Sequence, residues 1–151
     1  PRLSPHRLPN ALAHLARAQL WRLAEFIHQR QVLAKQYVES LADVPSVVLP
    51  VTPPDRTHAF LRYTIRLRDP AALHAAARRA GIMLGDWYDT VVAPRNTDLS
   101  AVRYIPDSCP RAEEAARESV NLPTSPTMGI PEADRVLHVV RDAVCRANQD
   151  Y

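Results

Sequence analysis

Residues 58–81, His58-Ala-Phe-Leu-Arg-Tyr-Thr-Ile-Arg-Leu-Arg-Asp-Pro-Ala-Ala-Leu-His-Ala-Ala-Ala-Arg-Arg-Ala-Gly81, decide the fold. The first ten alternate, with Ala59, Leu61, Tyr63, Ile65 and Leu67 on one side and Phe60, Arg62, Thr64 and Arg66 on the other. That period of two predicts a strand over 58–67 with one covered face. Asp69 followed by Pro70 is a helix cap with a first-turn proline, the next stretch is rich in alanine, and Gly81 is a stop. A strand passing directly into a helix sets the pattern for the rest.

Upstream, Asn10 is a candidate cap, and Leu12, Ala16, Leu20, Leu23, Ile27, Ala34, Val38 and Leu41 recur at helical steps. The spacing predicts one long amphipathic helix over 10–43, about 45 to 50 Å in length and longer than a domain of this size needs. Part of it is expected to pack against something outside the chain. Pro45, Pro50, Pro53 and Pro54 then forbid helix and leave a short extended piece over 46–51.

Downstream, 82–84 is expected as a short strand, and 85–107 as a long irregular segment holding Trp87, Tyr88, Pro94 and Pro106. Irregular segments of that length in a compact domain often carry function. Ser108 and Pro110 open a helix to Glu118, Val120 to Leu122 reads as a strand ended by Pro123, and a last helix starts near Pro131. Its apolar side is Val136, Leu137, Val140, Val144 and Cys145. The expected order is helix, strand, strand, helix, strand, helix, strand, helix. This is an α+β fold, a small and mostly antiparallel sheet covered by helices over 46–147 behind the long N-terminal helix.

A chain of 151 residues with 46% hydrophobic and 23% charged content is one domain able to bury a core. No apolar run reaches a membrane span and no signal peptide is recognisable, so a cytoplasmic protein without membrane partners is expected. Because the sequence opens on Pro1 rather than Met, a fragment is also expected. Lys35 is the only lysine among 19 basic residues, and the arginines are scattered, which reads as solvated surface. Arg62, Arg66 and Arg68 or the pair Arg78 and Arg79 are the best nucleic-acid footprint available, and no such partner is expected from them. Cys109 and Cys145 lack metal-ligand spacing, and the six histidines make no HxxxH or HxH pair sharing a face with a carboxylate, so reduced thiols and no metal centre are expected.

One local constellation can carry binding: Asp86, Trp87, Tyr88 and Asp89, two acids around an aromatic pair. It can bind a polar ring by stacking and hydrogen bonding, or it is a turn whose Trp plugs the edge of the core. Phosphate loops and nucleophile elbows are missing.

Arg7-Leu-Pro-Asn-Ala-Leu-Ala-His-Leu-Ala-Arg-Ala-Gln-Leu20 and Trp21-Arg-Leu-Ala-Glu-Phe-Ile27 resemble a stretch of the DegT/DnrJ/EryC1/StrS aminotransferases. Leu61-Arg-Tyr-Thr-Ile-Arg66, Ala80-Gly-Ile-Met-Leu-Gly-Asp-Trp-Tyr88, Cys109-Pro-Arg-Ala-Glu113 and Val120-Asn-Leu-Pro-Thr124 follow in the family's order. The resemblance covers nearly the whole chain but only the C-terminal part of such an enzyme. It implies a small domain of a fold type I pyridoxal-phosphate enzyme, a homodimer that aminates a nucleotide-linked keto-sugar. The N-terminal domain of the same polypeptide would carry the Schiff-base lysine, the pyridine-pairing Asp and the stacking aromatic.

By the same resemblance Arg7 lies near the cofactor phosphate, Asp86, Trp87 and Tyr88 lie near the sugar, and no catalytic residue falls within the chain. Lys35 lies off the apolar stripe beside His28 and Glu39, an ordinary hydrated amine, so the chain alone is expected neither to hold the cofactor nor to transaminate. Departures from the family are Pro5 for an Asn, Leu8, Leu12 and Ala16 for Met, Gln and Gly, Leu61 for a His, and Trp87 for the His before Tyr88. Two readings of them stand, a subgroup with another acceptor sugar and a copy that has lost cofactor. The competing function is a stand-alone module that dimerises through Leu20, Leu23, Ile27, Val38 and Leu41. A third uses the strand arginines to bind an anionic polymer.

Overall fold

A computed structural model describes residues 8–147. The elements are α1 (Asn10–Trp21), α2 (Leu23–Leu41), β1 (Val47–Val48), β2 (Tyr63–Leu67), α3 (Pro70–Arg79), α4 (Pro110–Glu118), β3 (Ser119–Leu122) and α5 (Ile130–Ala147). The three strands form one antiparallel sheet in the order β1-β2-β3, with Val47 opposite Leu67 and Ile65 opposite Val120. The α+β class expected from sequence is therefore the observed one.

A single core lies where α2, α3 and α5 meet the sheet. Leu33, Tyr37 and Leu41 of α2, Leu73 of α3 and Val136, Leu137, Val140 and Val144 of α5 close over Tyr63, Ile65, Val120 and Leu122. The α2 contribution follows i, i+4, i+8 spacing, the stripe a helix buries against one surface. Tyr37 and Tyr63 tilt together with ring centroids 5.2 Å apart, and the Tyr37 hydroxyl donates to the Pro123 carbonyl at 2.8 Å. Burial pushes the Tyr37 hydroxyl well above the ordinary phenol range and the Tyr63 hydroxyl up to about 12.

Several element boundaries differ from the expectation. The long helix over 10–43 is two helices in series, broken at Arg22 with φ −95° and ψ 1°, where the Arg22 N–H bonds back to Gln19. No Gly or Pro marks the break, so periodicity reads straight through it. The α1 cap is Pro9 rather than Asn10, with no side-chain bond. Of the predicted stripe, Ala34 and Leu41 are buried, while Leu12, Leu20, Leu23 and Val38 face solvent; no residue of α1 is buried.

The strand predicted over 58–67 shortens to β2. Phe60 adopts φ 45°, which turns the chain, and the Thr124 hydroxyl contacts the carbonyls of Phe60 and Leu61 at 2.9 and 3.0 Å where ladder bonds would have been. Ala59 and Leu61 are therefore exposed while Tyr63, Ile65 and Leu67 are buried. The stretch 82–84 is not a strand; only Gly85 pairs onward, in a bridge to Asn121. Cys145 lies on the exposed side of α5. The helix from Asp69 is as read, with the carboxylate accepting from the Ala72 N–H at 2.9 Å and Gly81 at φ 69° just past its end.

Candidate functional site

The irregular segment 85–109 leaves the sheet at β3. Gly85 and Asn121 exchange both main-chain hydrogen bonds at 2.9 Å. Asn121 is 2% exposed, and its side chain works on both sides: the carboxamide oxygen accepts from the Thr64 hydroxyl at 3.2 Å and the amide donates to the Trp87 carbonyl. A buried amide satisfied in this way fixes the backbone it touches. The turn through Trp87 is thus tied to both β2 and β3. A Cβ on Gly85 would stand 3.0 Å from the Asn121 Cβ and 3.2 Å from an Arg62 nitrogen, so a side chain there would make its neighbours give way by a few tenths of an ångström.

Trp87 and Tyr88 stack with centroids 5.6 Å apart and planes inclined by 22°, and they are 56% and 59% exposed. The Trp therefore does not plug the core; it stands at the surface as part of an aromatic plate. The Arg62 guanidinium lies over its ring, 4.4 Å from the centroid. Trp87 is the shared wall of two clefts. One, of about 400 Å³, is bounded by Arg30, Arg62, Gly85, Asp86 and Asn121. The other, of about 390 Å³, runs past Asp86, Tyr88, Asp89 and Pro94 to Arg95, whose guanidinium pairs with Asp89. Asp86, Trp87 and Tyr88 are brought together as adjacent lining residues, whereas Arg7 lies outside the described residues.

The far end of the segment is pinned by Glu113 on α4, which accepts from the Tyr104 hydroxyl at 2.5 Å and from the Asp107 N–H at 2.8 Å. The Tyr104 bond holds the Glu113 carboxyl below its usual range, and the same bond raises the Tyr104 hydroxyl to about 12. Asp98, inside the segment, is lowered by hydrogen bonds from Ser100. A further hollow of about 460 Å³ lies between α3 and α5, floored by Ala72, Ala76, Val139 and Ala143, away from this aromatic plate.

Sequence reading missed Asn121, Gly85 and Arg30 as site residues, and weighed Arg62 only as one of the strand arginines that could meet an anionic polymer. One signal was present: Asn121 is a polar residue between two apolar ones in a short strand. The position of Arg62 over Trp87 left no mark, since the two residues meet only once the chain has turned back.

A family model described as the DegT/DnrJ/EryC1/StrS aminotransferase family matches residues 4–141. A dTDP-3-amino-3,4,6-trideoxy-alpha-D-glucose transaminase from Streptomyces venezuelae is 34% identical over 146 residues, covering 95% of this chain and 38% of that protein. A dTDP-4-dehydro-2,3,6-trideoxy-D-glucose 4-aminotransferase from Saccharopolyspora spinosa is 33% identical over 139 residues, covering 87% of this chain and 34% of that protein. Among solved structures, S. venezuelae DesV in complex with a ketimine intermediate aligns with a TM-score of 0.83 at 32% identity, over 91% of this chain and 37% of DesV. The chain thus spans little more than a third of the length of the relatives it matches.

Proposed function

The chain belongs to the DegT/DnrJ/EryC1/StrS aminotransferase family, and on that premise we propose that it is the C-terminal small domain of a cytoplasmic, homodimeric pyridoxal-phosphate enzyme that aminates a nucleotide-linked keto-sugar. Its own work is to help close the active site, to present the Asp86, Trp87 and Tyr88 face to the sugar, and to supply dimer contacts. The observation that carries this is the 34% identity to a dTDP-sugar transaminase along 95% of the chain. The exposed aromatic plate supports the substrate-facing role, because sugar faces pack well on exposed rings. The bare apolar side of α1 supports a partner there, with Leu12, Leu15, Leu20 and Trp21 between 51% and 79% exposed.

Pyridoxal phosphate supplies an electron sink when held through a lysine amine. The described residues do not fit that task. The only lysine, Lys35, is exposed on α2 and stands 3.7 Å from Glu39. A Schiff-base lysine works in a dry, enclosed pocket, and an exposed amine beside a carboxylate has no such pocket around it. The chain's contribution is orientation and water exclusion, with the reactive lysine supplied by the N-terminal domain of the same polypeptide.

Two measurements test the reading. Incubated with pyridoxal phosphate, glutamate and a dTDP-linked keto-sugar, the 151-residue chain is expected to give no product, and turnover by it alone overturns the assignment of roles. In the source DNA, the frame upstream of Pro1 is expected to continue into a domain of alternating strands and helices bearing the lysine; a start codon beside Pro1 sinks the two-domain enzyme. In that event the second reading, a stand-alone dimerisation module, takes over. The exposure of α1 favours it equally, but Leu41 of the stripe assigned to it is buried and Ile27 half-buried, which leaves Leu20, Leu23 and Val38 open to pairing.

A further inference from the structure

We infer that the cleft bounded by Arg30, Arg62 and Trp87 is a subsite for a phosphate-class anion, held by the two guanidiniums, with Arg62 braced on the indole. The inference rests on the substrate-facing role proposed above and names what this part of that face would grip.

The other polar groups of the cleft are already satisfied. Asn121 is engaged by Thr64 and Trp87, and the Thr124 hydroxyl by the carbonyls of Phe60 and Leu61. The arginines are not. The Arg30 Nε is buried with no acceptor, and among the described residues no carboxylate oxygen stands within 4.0 Å of a nitrogen of either Arg30 or Arg62. Asp86, the one acid on the cleft, is exposed and leaves two positive groups against one negative.

The Arg30 Nε is closed to water as it stands, so the terminal nitrogens of this guanidinium, on the cleft wall, are the donors that would meet an anionic oxygen. Stacking on Trp87 uses the flat face of the Arg62 guanidinium, while its N–H donors lie in the plane and remain free. That geometry suits a planar fork gripping two oxygens of one phosphate. The cleft, at about 400 Å³, has room for a diphosphate.

The test uses the full chain carrying Trp21→Phe, which leaves Trp87 as its only Trp. Inorganic pyrophosphate is titrated while indole emission is followed. The expected result is a saturable change that weakens as salt rises, is abolished by Arg62→Ala, is partly retained by Arg62→Lys, and requires about 10-fold more pyrophosphate in Arg30→Gln. Circular dichroism of each variant guards against loss of fold. Absence of a saturable change in millimolar pyrophosphate, or unchanged affinity in either Arg62→Ala or Arg30→Gln, overturns the subsite. Neither cofactor nor keto-sugar is present, so failure here removes the subsite while leaving the aminotransferase reading to its own assay.

Discussion

The core beneath β2 and the segment 85–109 that rises from β3 are held by opposite means. In the core, Leu33, Tyr63, Ile65, Leu73, Val120 and Val140 are fully excluded from water, and cohesion is spread over many weak contacts. The segment has no regular element of its own and depends on a few directional bonds at its ends, Asn121 at one and Glu113 at the other. Diffuse apolar packing tolerates shape changes poorly but pH changes well, whereas a polar tether is specific, local and open to titration. A surface that must accept and release a ligand is better served by the second arrangement.

The largest effect is expected from breaking the core side. Leu33→Ala leaves a cavity under the sheet and should cost about 2 to 5 kcal/mol, read as a lower urea midpoint with an unchanged slope. A loss within a few tenths of a kcal/mol would mean that α2 is not packed as described. Next, Asn121→Ala strips the amide from the Trp87 carbonyl and the Thr64 hydroxyl, at a cost of about 1 to 3 kcal/mol. Its signature should be regional, with faster proteolytic nicking within 85–109 than in the parent under equal conditions; uniform nicking of the two proteins would argue against the tether.

Gly85→Ala should have a smaller, similarly regional effect, because the added methyl meets the Asn121 Cβ at 3.0 Å while the Arg62 side chain can swing aside. A shift of Trp87 emission with little change of melting temperature is the expected pattern. The Glu113 tether gives a pH test. Its carboxyl is lowered in the fold, so its stabilisation is fully present above the ordinary carboxylate range and fades as pH falls through the lowered value. Tyr104 is raised to about 12, so its share holds below the usual phenol range and is lost only as pH rises through about 12. Acid should therefore loosen the segment before the core, and Glu113→Gln should flatten that dependence; an identical acid profile for the two proteins would remove Glu113 as its source. Smallest in stability is Trp21→Ser, expected within about 0.5 kcal/mol of the parent because the ring is exposed, while weakening any self-association seen by light scattering.

Much of this division was legible from residues alone. The Asp69-Pro70 start, the Gly81 stop and the Val136, Leu137, Val140, Val144 face are local signals, and they fell where the helices and the core are. The length of β2 and the break at Arg22 were not legible. The first is set by Thr124, more than 60 positions away, taking over two carbonyls, and the second carries neither Gly nor Pro. At the candidate site, Asp86, Trp87 and Tyr88 stood out as a dense polar-aromatic run. Arg30 did not, and Arg62 stood out only among the strand arginines, because arginines recur throughout this sequence and only tertiary proximity to Trp87 brings these two to one cleft.

The interruption at Arg22 also sets a clock. A helix of 12 residues with no buried side chain is close to the limit at which helices hold in water, while its 19-residue neighbour is anchored through Leu33, Tyr37 and Leu41. Amide protons of α1 should therefore trade with deuterium on the timescale of local fraying, those around Tyr37 only on that of global opening, and the step between the two regimes should fall within a turn of Arg22. When a partner covers α1, that step should move toward the N-terminus, so the position of one boundary along the chain reports whether the helix has found its mate.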